Sequence, residues 1–530
     1  MKTKQLFFCS LTGLALLAAS CSSNDEALNG GDGTTSEGKT YAQIAISVAN
    51  SATTRAVAGI TGAEAYGDDA EYTVNDLTVV LANENGIAMQ VITPKMKEAT
   101  VKDENDKLVR VTEPFKCTPG KYKVYVLANY KNSQSSLSPI IKGSTDMKAV
   151  FGIGEIAKLY TKDNFFMTNV SAPEAQEIKT DATDKEVDDA GTEITGGKTN
   201  LNLLKVDVER AVSKVTFNND VDHLSFDIKQ GDNTLATTIA KATLEGVSLI
   251  NLNKKMYLVK EATFATNRPV VTNDWPYPKD PNYNETSIDT AYCEANFEQR
   301  IATNFSAPSE AKFYCPENTM EASAQLNGQT TGVVYKVKYV PEGKYYTELA
   351  AKNGTDSYSQ MFEKVLNLTT GKDAAITDKI FTEAKNTDGT DITDGTFYSY
   401  NGYVFKSKAG ACLYKAIATN TDDKAETVNK DFTKSMSEND KDIQTYEKGY
   451  CYYTAWIKHN PTSTVTMEQD KYGVVRNFWY ELTVNSIKKL GYSKATYKDP
   501  TDPDDKEEAA IQVQVNIKKW RVVKQNLDLE

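Results

Sequence analysis

Catalysis and ligand binding need particular residue types at particular spacings, and this chain offers only near misses. Thr195-Gly196-Gly197-Lys198-Thr199 closes like a phosphate-binding loop, in which backbone N–H groups and a lysine cradle phosphates. The first glycine of that pattern would stand where the chain has Thr192, and no strong strand precedes it, so the segment reads as a turn. Asn386-Thr387-Asp388-Gly389-Thr390-Asp391 carries the acids and glycine of a calcium loop. Its glycine comes fourth, and Phe397 occupies the twelfth place, where the loop geometry needs a bidentate glutamate. There are 2 histidines, His223 and His459. Neither has a cysteine, serine or second histidine at a catalytic spacing, so both read as structural or surface residues. Carboxylates abound, but separation along a sequence does not define a catalytic pair. The expectation is a protein that is no enzyme and holds no metal or cofactor.

Seven cysteines stand at 9, 21, 117, 293, 315, 412 and 451, with no C-x-x-C pair. So scattered a set is neither a disulfide framework nor a zinc site, and those near strand-like residues read as buried free thiols. Cys21 is different. Lys2 and Lys4 precede an apolar stretch from Leu6 to Ala19, then Ala18-Ala19-Ser20 leads into Cys21. The stretch is shorter than the ~20 apolar residues that span a bilayer, so it is an export signal over residues 1–20. Two readings stand: a lipoprotein signal with Cys21 acylated, or an ordinary signal cut near Ala19. Ser22 to Lys39 is a Ser/Gly/Asp/Asn-rich tether.

The elements that would position any site are strands. With 40% apolar and 25% charged residues among 530, the composition is that of a globular protein. A net charge of −12 without a basic block argues against nucleic acid. Ile44, Ile46 and Val48 alternate with small or polar neighbours, as do Tyr122-Val124-Val126, Leu204-Val206-Val208, Val333-Tyr335-Val337 and Ile511-Val513-Val515-Ile517, which is the period of half-buried strands. Ser357–Leu366 is the best helical candidate. Many strands and few short helices predict an all-β protein of antiparallel sandwiches. Residues 263–308, rich in Pro, Asn and Asp, lack alternation and read as the crossing between two β domains, residues 56–265 and 266–530.

The two ends carry a further pattern. Thr40–Asn50 alternates as a strand, and a small-residue linker containing Arg55 and Ala56 follows. Such a junction suits proteolysis, although Arg55 alone fits a plain surface arginine as well. At the other end Ile511–Ile517 alternates, and Trp520 and Val522 continue in the opposite parity, which predicts a bulge or twist at Lys518-Lys519 within one long final strand. A long terminal strand either pairs within its own sheet or is accepted by another subunit.

The chain resembles the type V fimbrillins, a family of bacterial pilins, and within them the major shaft subunit of the short fimbriae. The resemblance covers nearly the whole sequence. It is carried by the lipoprotein start at Cys21, by Thr53-Thr54-Arg55-Ala56 and by Gly120-Lys121-Tyr122-Lys123-Val124-Tyr125-Val126-Leu127-Ala128-Asn129. Val208-Glu209-Arg210-Ala211-Val212-Ser213-Lys214-Val215, Phe313-Tyr314-Cys315-Pro316-Glu317-Asn318, Tyr472-Gly473-Val474-Val475-Arg476-Asn477 and Lys519-Trp520-Arg521-Val522-Val523 carry it further. It implies two transthyretin-like sandwiches and a precursor lipid-anchored at the outer membrane through Cys21. It also implies a propeptide, residues 21–55, removed after Arg55 by an Arg-specific protease. The leaving strand would take Ile44, Ile46 and Val48 with it. The C-terminal strand of the next subunit, 511–523, would refill the groove with Ile511, Val513, Val515, Ile517, Trp520 and Val522. Implied partners are further copies of the chain, accessory tip and anchor subunits, and host or bacterial surface receptors in adhesion, coaggregation and biofilm formation; the implied place is the cell-surface fimbria. A tip or anchor role in the same fimbria is one alternative. A surface glycan-binding lipoprotein is another, with Trp275, Tyr277 and the run Tyr450–Trp456 as stacking rings, though such runs are more often core.

Overall fold

The structure, a computed structural model, describes residues 40–48, 64–102, 108–180, 202–219, 224–230, 237–262, 277–341, 394–401, 403–405, 408–420, 425–437, 440–495, 499–506 and 510–521. The helix expected at Ser357–Leu366 lies outside them.

Period-two alternation produces strands from the first described residue onward. In chain order these are β1 (Thr40–Val48), β2 (Glu64–Tyr66), β3 (Leu77–Ala82), β4 (Ala88–Ile92), β5 (Met96–Lys102), β6 (Leu108–Thr112), β7 (Phe115–Cys117), β8 (Gly120–Ala128), β9 (Met167–Asn169), β10 (Ala175–Ile178) and β11 (Asn202–Arg210). All but β2 form a ten-stranded sheet in the order β4-β3-β8-β9-β11-β1-β6-β5, with β10 added to β8 and β7 to β1. The two halves of this sheet meet through the short β9. At its last residue the Asn169 side chain continues the ladder to β8, accepting from Val126 N at 2.7 Å and donating to Val124 O at 3.0 Å. Val79, Leu81, Val124 and Val126 from one half share a core with Ile44, Ile46 and Val206 from the other.

The second unit is a two-sheet sandwich. Its strands are β12 (Val212–Phe217), β13 (Ser225–Gln230), β14 (Thr237–Ile250), β15 (Lys312–Pro316), β16 (Gly332–Pro341), β17 (Tyr450–Trp456), β18 (Phe478–Ile487) and β19 (Ile511–Arg521). One sheet runs β2-β19-β18-β12-β15 and the other β13-β14-β16-β17. Phe217 of the first meets Tyr335 of the second edge-on, with centroids 6.1 Å apart.

Apart from the short excursion of β2, the chain leaves the first sheet for the second unit at Ala211, ahead of the expected crossing at residues 263–308 and of the boundary expected between 265 and 266. Two strands abut there with no Pro, Gly or polar loop to mark the break. The described part of 263–308 instead packs on the second unit, between β14 and β15. Buried Asp280 accepts from Asn253 Nδ2 at 3.1 Å and from Thr319 N at 2.8 Å, and the Tyr277 hydroxyl donates to Tyr472 O at 2.6 Å.

Between β16 and β17 sits a small α+β insert. Helices Lys408–Thr419 and Ala425–Ser437 cover a three-stranded sheet around a separate core of Phe405, Leu413, Ile417, Val428 and Phe432. No described helix is long and apolar enough to cross a membrane.

The strand β19 is the single long final strand expected, without the bulge. It runs antiparallel to β18 from Ile511↔Ile487 to Lys519↔Phe478, and the single register shift falls at Asn485 of β18. Lys518 and Lys519 form no bulge against β18. Trp520 changes parity because it lies on the outer face of the same straight strand, against the first unit.

Candidate functional site

The strand β1 occupies the middle of its sheet. One edge pairs parallel with β11, from Ala42↔Asn202 to Val48↔Val208. The other pairs antiparallel with β7 at Thr40–Ala42 and with β6 at Ala45–Ser47. Both faces are covered too. Ala42, Ile44, Ile46 and Val48 enter the core, and Ala45 packs with Val109 and Val111 on the opposite side. Gln43 Nε2 donates to Thr112 O at 2.7 Å, and Asn202 Nδ2 to Tyr41 O at 2.9 Å. Withdrawing this strand would open a groove with two unpaired backbone edges, a state that satisfied buried peptide groups disfavour strongly.

At the far end, Ile511, Val515 and Ile517 are buried inside the second unit, and Val513 is half-buried. Trp520 is fully buried on the outer face. Its indole Nε1 donates to Glu71 Oε2 at 2.9 Å, and the Arg210 guanidinium lies over its ring at 4.2 Å. Arg210 also donates to Glu71 O at 2.8 Å and to Asn477 Oδ1 at 2.8 Å. The Lys214 ammonium meets Glu71 Oε1 at 2.8 Å, with both side chains 2% exposed, and the Tyr314 hydroxyl donates to the same carboxylate. Burial lowers Arg210 to about 10, partly offset by Glu71, and lowers Lys214 against the same opposing charge. Gly67 is required by close approach: a Cβ there would stand 2.5 Å from Glu71 Oε2 and 2.6 Å from Trp520 Nε1. Residues from both ends of the chain and from the β11–β12 junction thus converge on one buried ion pair.

Comparison with known families gives two matches. Residues 42–205 match the major fimbrial subunit protein (FimA), and residues 444–526 match the C-terminal fimbrillin region of the major fimbrial subunit protein type IV. The chain belongs to the fimbrillins. The first match begins inside β1 and ends inside β11, so it spans the sheet that β1 completes. No curated protein sequence matches this fimbrillin. Among solved structures it is similar to a cell adhesion protein of Parabacteroides distasonis, with 11% identity over 92% of this chain and 98% of that one at a TM-score of 0.40. It is similar also to a fimbrilin of Porphyromonas gingivalis, with 14% identity, 91% and 98% coverage and a TM-score of 0.35. A third is the tip fimbrial protein Mfa3 of Porphyromonas gingivalis, with 12% identity, 91% and 100% coverage and a TM-score of 0.28. Likenesses at these TM-scores carry no weight; the family assignment rests on the two sequence matches.

Other residues singled out in the sequence fall as follows. Cys21, Arg55, Ala56, Val522, His223 and Trp275 lie outside the described residues of the fimbrillin. His459 is buried, its Nδ1 2.7 Å from the Tyr480 hydroxyl, and burial lowers it to about 4. The cysteines 117, 293, 315, 412 and 451 are free and buried; burial pushes Cys117 and Cys315 to about 12. In the aromatic run, Tyr453 and Trp456 are buried core and Tyr450 and Tyr452 are half-buried, so few ring faces remain for stacking. Among the described residues no group of three or more His, Cys, Asp and Glu is placed to hold a metal. Sequence reasoning missed Glu71 and the roles of Arg210 and Lys214. The available signal was a pair of cations, four residues apart, set into a string of buried strand residues.

Proposed function

We propose that this fimbrillin is a shaft subunit of a cell-surface fimbria, exported as a lipoprotein acylated at Cys21 and held at the outer membrane. An Arg-specific protease cuts after Arg55, and the chain polymerises by strand exchange. In this reading β1 leaves, and the C-terminal part of the next subunit takes its place. The observation that carries the reading is the position of β1. It is interior, paired on both edges and buried on both faces, yet its chain connection to the rest of the fold runs through the linker that holds Arg55. Cutting there turns an internal strand into a separate peptide, held only by contacts that a competing strand can replace. Ile44 and Ile46 contribute roughly 1.5–3 kcal/mol each on burial, so the vacated groove has a matching affinity for an apolar strand. Tip and anchor subunits and surface receptors are the further partners, and the role is structural. The test is to treat purified precursor with an Arg-specific protease. SDS-resistant ladders and filaments should appear with wild type and be absent with Arg55→Ala. Ladders from uncleaved Arg55→Ala protein would overturn the reading.

A further inference from the structure

We infer that Glu71 and Lys214 form a covalent stitch: their side chains condense to an amide with loss of one water, tying the turn after β2 to β12. The inference stands apart from the exchange reading above, and either survives the failure of the other.

Three observations carry it. First, the two reacting groups are together and away from water. Lys214 Nζ stands 2.8 Å from Glu71 Oε1 and 3.1 Å from Oε2, within the range at which bound groups react. Both side chains are buried, and the Trp479 and Trp520 rings lie 3.8 and 5.5 Å from the ammonium. With no water to solvate the charges, transfer of one ammonium proton to the carboxylate gives a neutral pair and frees the amine lone pair. Second, the two oxygens of Glu71 are held differently. Oε2 accepts from Trp520 Nε1 at 2.9 Å and from Asp68 N at 3.1 Å, two N–H donors on the oxygen where charge develops as Nζ adds to Cδ. Oε1 accepts from the Tyr314 hydroxyl, a proton donor placed on the oxygen that leaves. The Nζ–Cδ bond forms and the Cδ–Oε1 bond breaks. Oε1 departs as water, carrying the transferred proton and a second one from Nζ, and no oxidant or co-reactant is consumed. Third, the other buried lysine–glutamate pair lacks this arrangement. Lys260 Nζ meets Glu209 Oε2 at 2.8 Å, but Glu209 Oε1 has no donor, so that pair stays ionic.

The experiment is mass spectrometry of the full-length protein, denatured and digested with trypsin after folding. Trypsin does not cut after an acylated lysine, so the stitch joins residues 56–95, which hold Glu71, to residues 211–229, which hold Lys214. Wild type should give this branched peptide, about 18 Da lighter than the two chains summed, the mass of one water. Unlinked 56–95 and 211–214 alone would overturn the stitch, whether or not the protein polymerises. Lys214→Arg keeps a cation beside Glu71 and should give no branched peptide; a branch from that variant would also overturn it. Tyr314→Phe removes the donor on the leaving oxygen and should lower the linked fraction, and an unchanged fraction would overturn the role given to Tyr314. A second branched peptide joining Glu209 to Lys260 would overturn the role given to the donors, since proximity alone would then suffice.

Discussion

Thr40 of β1 is paired directly with Cys117 of β7, and β7 has no other strand partner among the described residues. Cys117 is 2% exposed, and burial holds its thiol at about 12. A thiolate is the reactive species, so this cysteine is doubly protected while β1 is in place. Alkylation of Cys117, followed by mass spectrometry at pH 8, should be slow in the precursor. It should become fast when β1 dissociates after cleavage, then slow again in the polymer. Cys315 and Cys451, away from β1, should stay protected throughout. Unchanged protection of Cys117 after β1 is lost would mean that the groove closes on itself.

The Trp520 anchor has a cost that denaturation can read. Replacing a buried tryptophan by alanine costs about 3–5 kcal/mol, so Trp520→Ala should lower the urea midpoint of the second unit. Trp520→Phe keeps most of the apolar contact and loses the Nε1 donor to Glu71, which retains Lys214 and Tyr314. A loss of about 1–2 kcal/mol follows for that variant. Equal midpoints for Trp520→Ala and wild type would show that the anchor is slack.

How much of this was legible in the sequence depends on the kind of signal. Strands with clean alternation, such as Ile44-Ile46-Val48 and Ile511–Ile517, stand out because one face of each is apolar at period two. The passage between units at Ala211 does not, because β11 and β12 abut and both continue as buried apolar residues. Trp520 suggested a bulge or twist because its parity changed; the cause is a second buried face, which a single strand cannot announce. Glu71 lies far in sequence from Arg210, Lys214 and Trp520, and the pairing that joins them is tertiary. The insert helices Lys408–Thr419 and Ala425–Ser437 were missed although their alanines and lysines favour helix; Gly410 in the first and the Thr, Asn and Asp residues of the second dilute that preference.

Acid should weaken the fold through His459. Its pKa is lowered from 6.5 to about 4 by burial, with Asp470 opposing, while Tyr480, Tyr277 and Phe478 pack around the ring. Between those values the unfolded chain takes up a proton that the folded chain does not. Stability is therefore kept above pH 6.5 and lost as pH falls toward 4. Urea denaturation of wild type and His459→Gln at pH 7 and pH 4.5 should show the larger drop in wild type. Parallel drops would mean that other groups set the acid limit.

If β1 leaves as proposed, its packing should matter to the precursor alone. Ile46 is 1% exposed in the middle of β1, between Val206 of β11 and Arg110 of β6 in the register. Truncating a buried isoleucine to alanine costs about 2–5 kcal/mol, so Ile46→Ala should destabilise the uncleaved precursor by that order. Residues up to Arg55 are absent from the matured subunit in the proposed route, and fibres grown from Ile46→Ala precursor should melt and resist SDS as wild-type fibres do. Cleaved Ile46→Ala protein should also release β1 sooner and polymerise faster, because the competing strand is weaker by the same amount. Fibres that are themselves weakened would place β1 in the mature polymer and exclude its replacement by a neighbour's strand.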